Sequence, residues 1–455
     1  MRKIKMQTHK FSHVTICAAA LVFTLNGCAR KDATTIARNE DSPAPLAAVA
    51  PNPLKLALLA HEGNAPLDKE IRRFQDQVRR GQNRAAALER LGWAFVAKAR
   101  ASFDTGFYKL AEACADVLDA DSPNCSEALL LRGHVFQNLH RFKDAEAIAH
   151  TLVAQRGLSY DYGMLGDTLM EQGRLKEAVI AYQTMVDIRP DLQSYARIAH
   201  IRWLTGDLDG AIEMMQSAGN ASSPGDADTA AWANTRLAGL KLQGGDAEAA
   251  RHNCEAALEL RPDYPPALLL RGKMLMGERD REAAVSMLER AVQQNPLPEY
   301  QWTLAEALRA DGREEEAAEL ESGLQRRGAS ADPRTYSLYL ATCGGDASLA
   351  VQLAERELEQ REDVFTHDAL AWALTAAGRM DEAKAHLAIA LAEGTTDARL
   401  FFHAAVIHFR AGSKGEAQTW FTRAAGVMNL LLPSEQTQLL SLAQTFAGSE
   451  TNSEN

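Results

Sequence analysis

The chain has 455 residues, of which 46% are hydrophobic and only 6% aromatic, and its formal net charge is -11. An aliphatic, aromatic-poor composition argues against a β-sandwich, which draws on β-branched and aromatic residues. The acidic balance excludes nucleic acid as the main partner, because neutralising phosphates needs a basic stripe.

In chain order, the first feature is an address. Arg2, Lys3, Lys5 and Lys10 form a basic start, and no acid occurs among the first 27 residues, so the chain without them stands at -15. An apolar run from Val14 to Leu25 follows. It has the length of a signal-peptide core and is too short to span a bilayer comfortably. It ends in Leu25-Asn26-Gly27-Cys28, which resembles a bacterial lipobox, with Asn26 where that motif has a small residue. The resemblance implies cleavage after residues 1–27 and acyl chains on the Cys28 sulfur, each buried CH₂ contributing about 0.8 kcal/mol of anchoring. The next residue is Ala29 rather than Asp. By analogy with enterobacterial sorting, that implies the outer membrane, facing the periplasm. Residues 28–66 contain Pro43, Pro45, Pro51, Pro53 and Pro66 among small and charged residues. Such a segment buries too little apolar surface to order itself and reads as a flexible tether, with a short helical turn from Leu54 to Leu59. Residues 67–83 read as an N-terminal capping helix with Leu67, Ile71, Phe74 and Val78 on one face.

An internal repeat organises residues 84–432. Gly is followed five residues later by Ala at Gly106, Gly173, Gly206, Gly245, Gly312, Gly345, Gly378 and Gly412, and His140 and Arg279 take the Gly place in two further units. The ten turns are spaced by 33 or 34 residues, except for 39 between Gly206 and Gly245, where Gly219 to Gly225 reads as a loop insertion. Seven residues before the turn a small residue recurs, as at Gly133, Gly166, Ala199, Gly272 and Ala371, with Leu338 the exception. Twelve residues after the repeat Ala, Pro123, Pro190, Pro262 and Pro296 end a helix. Period and landmarks together resemble the tetratricopeptide repeat. The resemblance implies an all-α, right-handed superhelical solenoid of about ten helical hairpins. Each hairpin would hide its apolar face only by stacking on the next. Residues 433–447 read as a C-terminal capping helix, opened by Ser434 and carrying Leu439, Leu440 and Leu442, and 448–455 as a disordered tail.

Chemistry-bearing motifs are absent from the sequence: no metal-binding His-Glu-x-x-His, nucleophile elbow, phosphate loop or dinucleotide fingerprint occurs. No enzymatic activity, cofactor, metal or small-molecule substrate is therefore expected. Cys254 falls where an apolar core residue belongs. Cys114 and Cys125 leave a disulfide open in an exported protein. Projecting the family pattern places the concave face on the first helix of each hairpin. That face would carry Arg100, Phe103, His134, Gln137, Asn138, Asp167, His200 and Trp203 in the earlier units. The later units add Trp302, Glu306, Arg309, Tyr339, Trp372, Phe402 and Phe409. His134 and His200 share one repeat position two units apart and read as solvated groove residues. Exposed groove aromatics would anchor a peptide, or pack against the neighbouring hairpin. The carboxylate clamp of some family members is not expected, because the matching positions hold no Asn. The expectation is a membrane-anchored scaffold that binds envelope proteins or peptides in its groove. The alternative is an accessory lipoprotein for glycan binding or polysaccharide export, its aromatics stacking on sugars.

Overall fold

The computed structural model describes residues 52–102, 104–223 and 225–451. Cys28, the signal segment and most of the tether lie outside them, as does Phe103. Two short elements open the described chain, α1 (Pro53–Ala57) and α2 (Pro66–Arg79). Ten hairpins follow. They are α3 (Arg84–Ser102) with α4 (Gly106–Asp121), α5 (Ser126–Asn138) with α6 (Phe142–Gln155), α7 (Ser159–Glu171) with α8 (Leu175–Ile188), and α9 (Leu192–Leu204) with α10 (Leu208–Asn220). Then come α11 (Ala227–Gln243) with α12 (Ala247–Leu260), α13 (Pro265–Glu278) with α14 (Arg281–Gln294), and α15 (Pro298–Ala310) with α16 (Glu314–Ala331). The last three are α17 (Pro333–Thr342) with α18 (Ala347–Leu358), α19 (Val364–Ala376) with α20 (Met380–Leu391), and α21 (Ala398–Arg410) with α22 (Lys414–Gly426). A 3-10 turn at Met428–Leu430 leads into α23 (Pro433–Thr451). The protein is all-α, a solenoid of stacked helical hairpins.

Local chemistry accounts for each hairpin. The first helix ends on a residue at positive φ in nine units, usually Gly, which adopts it without a Cβ clash. In the eighth unit that residue is Gly344 rather than the expected Gly345, and Gly106 instead starts α4. Asp207, Asp246, Asp280 and Asp346 then cap the second helix, each accepting from the N–H three residues on. The repeat Ala sits where the two helices cross. All ten, from Ala111 and Ala178 to Ala417, are fully buried. The small residue of the first helix is equally constrained. A Cβ on Gly272 would lie 2.5 Å from Leu288 Cγ, and one on Gly166 would lie 2.3 Å from the Tyr182 ring.

Three features differ from expectation, two of them boundaries. Residues 52–66 are not a free tether, because polar groups stitch them to α2. Gln75 Nε2 donates to the carbonyls of Ala57 and Leu59 at 3.1 and 2.8 Å, and Arg72 Nη1 donates to that of Gly63 at 2.6 Å. Buried Asp68 meets His61 at 2.9 Å and Lys98 at 2.7 Å, which hold its carboxyl well below the usual range. At the other end, α23 runs on to Thr451, into the stretch expected to be a tail. The third difference is the closure of the array on itself, which brings distant repeats together at the site.

Candidate functional site

The first helices of the hairpins line an interior with two unlike halves. The earlier half is polar. The Arg100 guanidinium donates to His134 Nε2 at 2.6 Å, and Tyr108 donates its hydroxyl proton to Asn138 Oδ1 at 2.8 Å. One unit on, Asp167 takes a bidentate pair from Arg197 at 2.8 and 2.7 Å and a hydroxyl proton from Tyr182 at 2.8 Å. Beyond it, Arg236 donates to His200 Nδ1 at 3.1 Å, and the His200 ring lies against Trp203 at 5.6 Å. Burial and the neighbouring guanidiniums depress both imidazoles. His134 falls well below its ordinary value, and His200 falls to about 3. Both are therefore neutral at pH 7 and serve as acceptors for arginine, rather than as solvated groove residues. Gln137 completes the row, donating to the Met164 carbonyl at 3.1 Å. Arg100, His134, Gln137, Asn138, His200 and Trp203 are all half-buried, so this half keeps partial access to solvent.

The later half is aromatic and sealed. Trp302 is 1% exposed, Trp372 2%, Tyr339 6% and Phe402 0%, so none is available as a peptide anchor. The expectation of exposed aromatic anchors there fails, and with it the basis for stacking on sugars. Their surroundings explain why. Trp302 meets Tyr339 edge to face at 5.9 Å and donates to Glu306 at 3.0 Å. Trp372 donates to Thr342 Oγ1 at 2.9 Å and stacks on His403 at 4.3 Å. His403 in turn meets Asp368 at 2.9 Å. The C-terminal helix covers this half. Glu306, its carboxyl raised by burial, accepts from the Ser434 N–H at 2.9 Å. Gln438 donates to the Thr342 carbonyl at 3.2 Å, and Arg399 pairs with Glu435 at 2.7 Å. Arg309 stays exposed and pairs with Glu321, and Phe409 packs on Phe446 at 5.6 Å.

Across the interior, turns of the earlier half meet connections of the later half in a seam. The Glu362 N–H donates to the Glu171 carbonyl at 3.0 Å, and Arg361 pairs with Glu171 and, at 3.2 Å, with Asp363. Arg334 also reaches Asp363 at 3.0 Å, and His140 reaches Glu357 at 3.5 Å. Further along, Trp203 Nε1 donates to the Thr396 carbonyl at 2.7 Å, Thr395 donates to that of Leu204 at 2.6 Å, and Gln243 Nε2 donates to Asp397 at 3.0 Å. The Trp203 ring rests on Phe365 at 5.4 Å. Trp203 is thus a seam residue more than a groove anchor.

Arg197, Arg236 and Arg361 were not singled out from sequence. For the first two a signal existed. Both stand nine residues before their turns, where other units carry Leu131, Met164 and Leu270. A charge at an apolar repeat position marks a buried pair. Arg361 gives no such signal, since its partner Glu171 lies 190 residues away. All four described cysteines are free. Cys114 and Cys254 are buried, and Cys125 donates to the Leu118 carbonyl at 3.8 Å.

Tetratricopeptide-repeat family models match residues 130–193 and 241–310. Over those two stretches the chain carries tetratricopeptide repeats. No curated protein sequence matches it. Solved structures to which it is similar include a tetratricopeptide repeat protein from Parabacteroides merdae, at 14% identity over 50% of this chain and 93% of that one, with a TM-score of 0.39. Another is the APC/C hetero-tetramer Cut9-Hcn1, at 13% identity over 86% of this chain and 68% of that one, with a TM-score of 0.43. A third is YrrB, described as having an unusual peptide-binding site, at 18% identity over 43% of this chain and 95% of that one, with a TM-score of 0.27.

Proposed function

We propose that the chain is a lipid-anchored scaffold of the bacterial cell envelope, exported to the outer membrane and facing the periplasm. It binds a segment of a partner protein along the polar half of its interior. The observation that carries this reading is the contrast between the halves: the aromatic half is filled by the chain's own α23, while Arg100, His134 and Asn138 keep partial access. Those residues offer a row of donors and acceptors set by the repeat period, which suits an extended peptide backbone. The lipid anchor rests on Cys28 and the basic and apolar run before it.

Two experiments test the parts separately. Cys28→Ser should abolish fatty-acid labelling of the protein in cells, and unchanged labelling removes the anchor. A photo-crosslinking residue at Asn138 should capture an envelope protein in intact membranes. The same residue at Ile180, which is 69% exposed on the outer face of α8, should not. Capture from Ile180 alone would move the binding surface to the outside of the solenoid.

A further inference from the structure

Two units hold a side chain at the positive-φ turn position where seven others use glycine. His140 and Arg279 adopt φ of 56° and 65°, a left-handed conformation that crowds an L residue. For His140 the structure shows what offsets the crowding. Its ring stacks on Phe142 at 5.6 Å, and Nδ1 lies 3.5 Å from Glu357 across the seam. Arg279 has nothing comparable. It is exposed, and neither its guanidinium nor that of Arg281 has a hydrogen-bond or ion-pair partner among the described residues.

Both arginines stand at the wall of a cleft of about 390 Å³. It lies between the α13–α14 turn, the end of α15 and the connection into α23. Met276, Ala310, Met428 and Pro433 give it an apolar lining, and Asn429 and Gln436 add amide groups. Gly277 lets the walls approach, since a Cβ there would come within 3.3 Å of Asn429. No carboxylate lines the cleft. Of the acids beside the two arginines in the chain, Glu278 accepts from Arg271 at 2.9 Å and Asp280 caps the Ala283 N–H at 3.3 Å, while Glu282 is exposed and does not line the cleft.

We propose that this cleft docks a short acidic, partly apolar peptide segment of a partner protein, whose carboxylate is taken by Arg279 and Arg281. Charge complementarity selects this occupant. Two unneutralised guanidiniums over an apolar floor suit a carboxylate flanked by aliphatic side chains, and a guanidinium grips a carboxylate through paired N–H···O bonds. The volume lies within the range of roughly 300–1,000 Å³ usual for ligand sites. The site is independent of the polar interior, which is built by α3 to α11. It keeps the left-handed Arg279 in place because glycine would forfeit the charge.

The test is fluorescence anisotropy on the full chain. The probes are a labelled hexapeptide of alternating Glu and Leu and its Gln-for-Glu counterpart. The acidic peptide should bind more tightly by about tenfold, a gap that narrows as salt screens it. Arg279→Gly with Arg281→Ala should abolish the preference. Arg279→Gly alone should weaken binding while the melting temperature holds or rises, because the strain is relieved, so the loss is not misfolding. Lys384→Ala, at an exposed cation of α20 outside both the cleft and the polar interior, should leave this binding unchanged. Equal binding of the two peptides, or full binding by the double variant, would overturn the proposal. So would arginine-dependent binding to phosphatidylglycerol vesicles without binding to the acidic peptide, since the cleft would then recognise a lipid surface.

Discussion

Arg361→Met probes the seam that closes the solenoid. Arg361 is 6% exposed and touches three carboxylates, those of Glu171, Asp363 and Glu357. Removing it does not orphan all three. Asp363 keeps Arg334 at 3.0 Å, and Glu357 keeps His140 at 3.5 Å. Glu171, 7% exposed, has no other cation within reach among the described residues. The expected penalty is therefore that of one buried, unpaired carboxylate, about 3 kcal/mol, at the low end for breaking a buried pair. It falls on the seam, so the Glu362 N–H, which donates to the Glu171 carbonyl at 3.0 Å, is the reporter. If the seam opens locally, hydrogen exchange at that amide should speed up by about two powers of ten, at 1.36 kcal/mol per tenfold. Amides of α12 and α14, which make none of the seam contacts, should not change. Replacing both partners, Glu171→Met with Arg361→Met, removes the uncompensated charge and should restore most of the protection. Unchanged exchange in the single variant would refute the closed seam. Equal loss in the double variant would refute its attribution to an orphaned charge.

Trp372→Ala should destabilise the protein by about 3–5 kcal/mol, because the ring is buried between Phe402 and His403. Circular dichroism during urea unfolding reads this, and a variant as stable as the parent would return Trp372 to the solvent-facing groove. Gly166→Ala should cost about 1–3 kcal/mol, since its Cβ would meet the Tyr182 ring, which is 1% exposed and tied to Asp167. An unaltered urea midpoint would mean that the helices of that hairpin separate more easily than their packing implies. His200 is depressed to about 3, so the folded state binds its proton less readily than the unfolded chain does. That contribution is complete above the ordinary imidazole pKa of about 6.5 and is lost as pH falls towards 3, at up to about 1.4 kcal/mol per pH unit. His200→Gln should therefore flatten the loss of stability between pH 7 and pH 5, and an identical slope would show that His200 does not titrate in the fold.

The sequence by itself determined the hairpins. Whether two helices can cross closely is settled by the residue at the crossing, and Ala178 or Gly272 can be read there without knowing anything distant. The turn is equally local, and the shift from Gly345 to Gly344 is a displacement within one turn. Stacking of neighbours follows from the same period, which is why the number and order of the hairpins were legible. The surface left over was not. Which face of a repeat ends inside depends on small rotations accumulated over many units. Here they bring Glu171 to Arg361 and Leu204 to Thr395, contacts separated by 190 and 191 residues. Trp302, Tyr339, Trp372 and Phe402 occupy the concave positions that the period assigns them, but closure and α23 turn that surface into core. A periodic sequence specifies nearest-neighbour contacts. Solvent exposure belongs to the whole superhelix, and only the tertiary structure decided it.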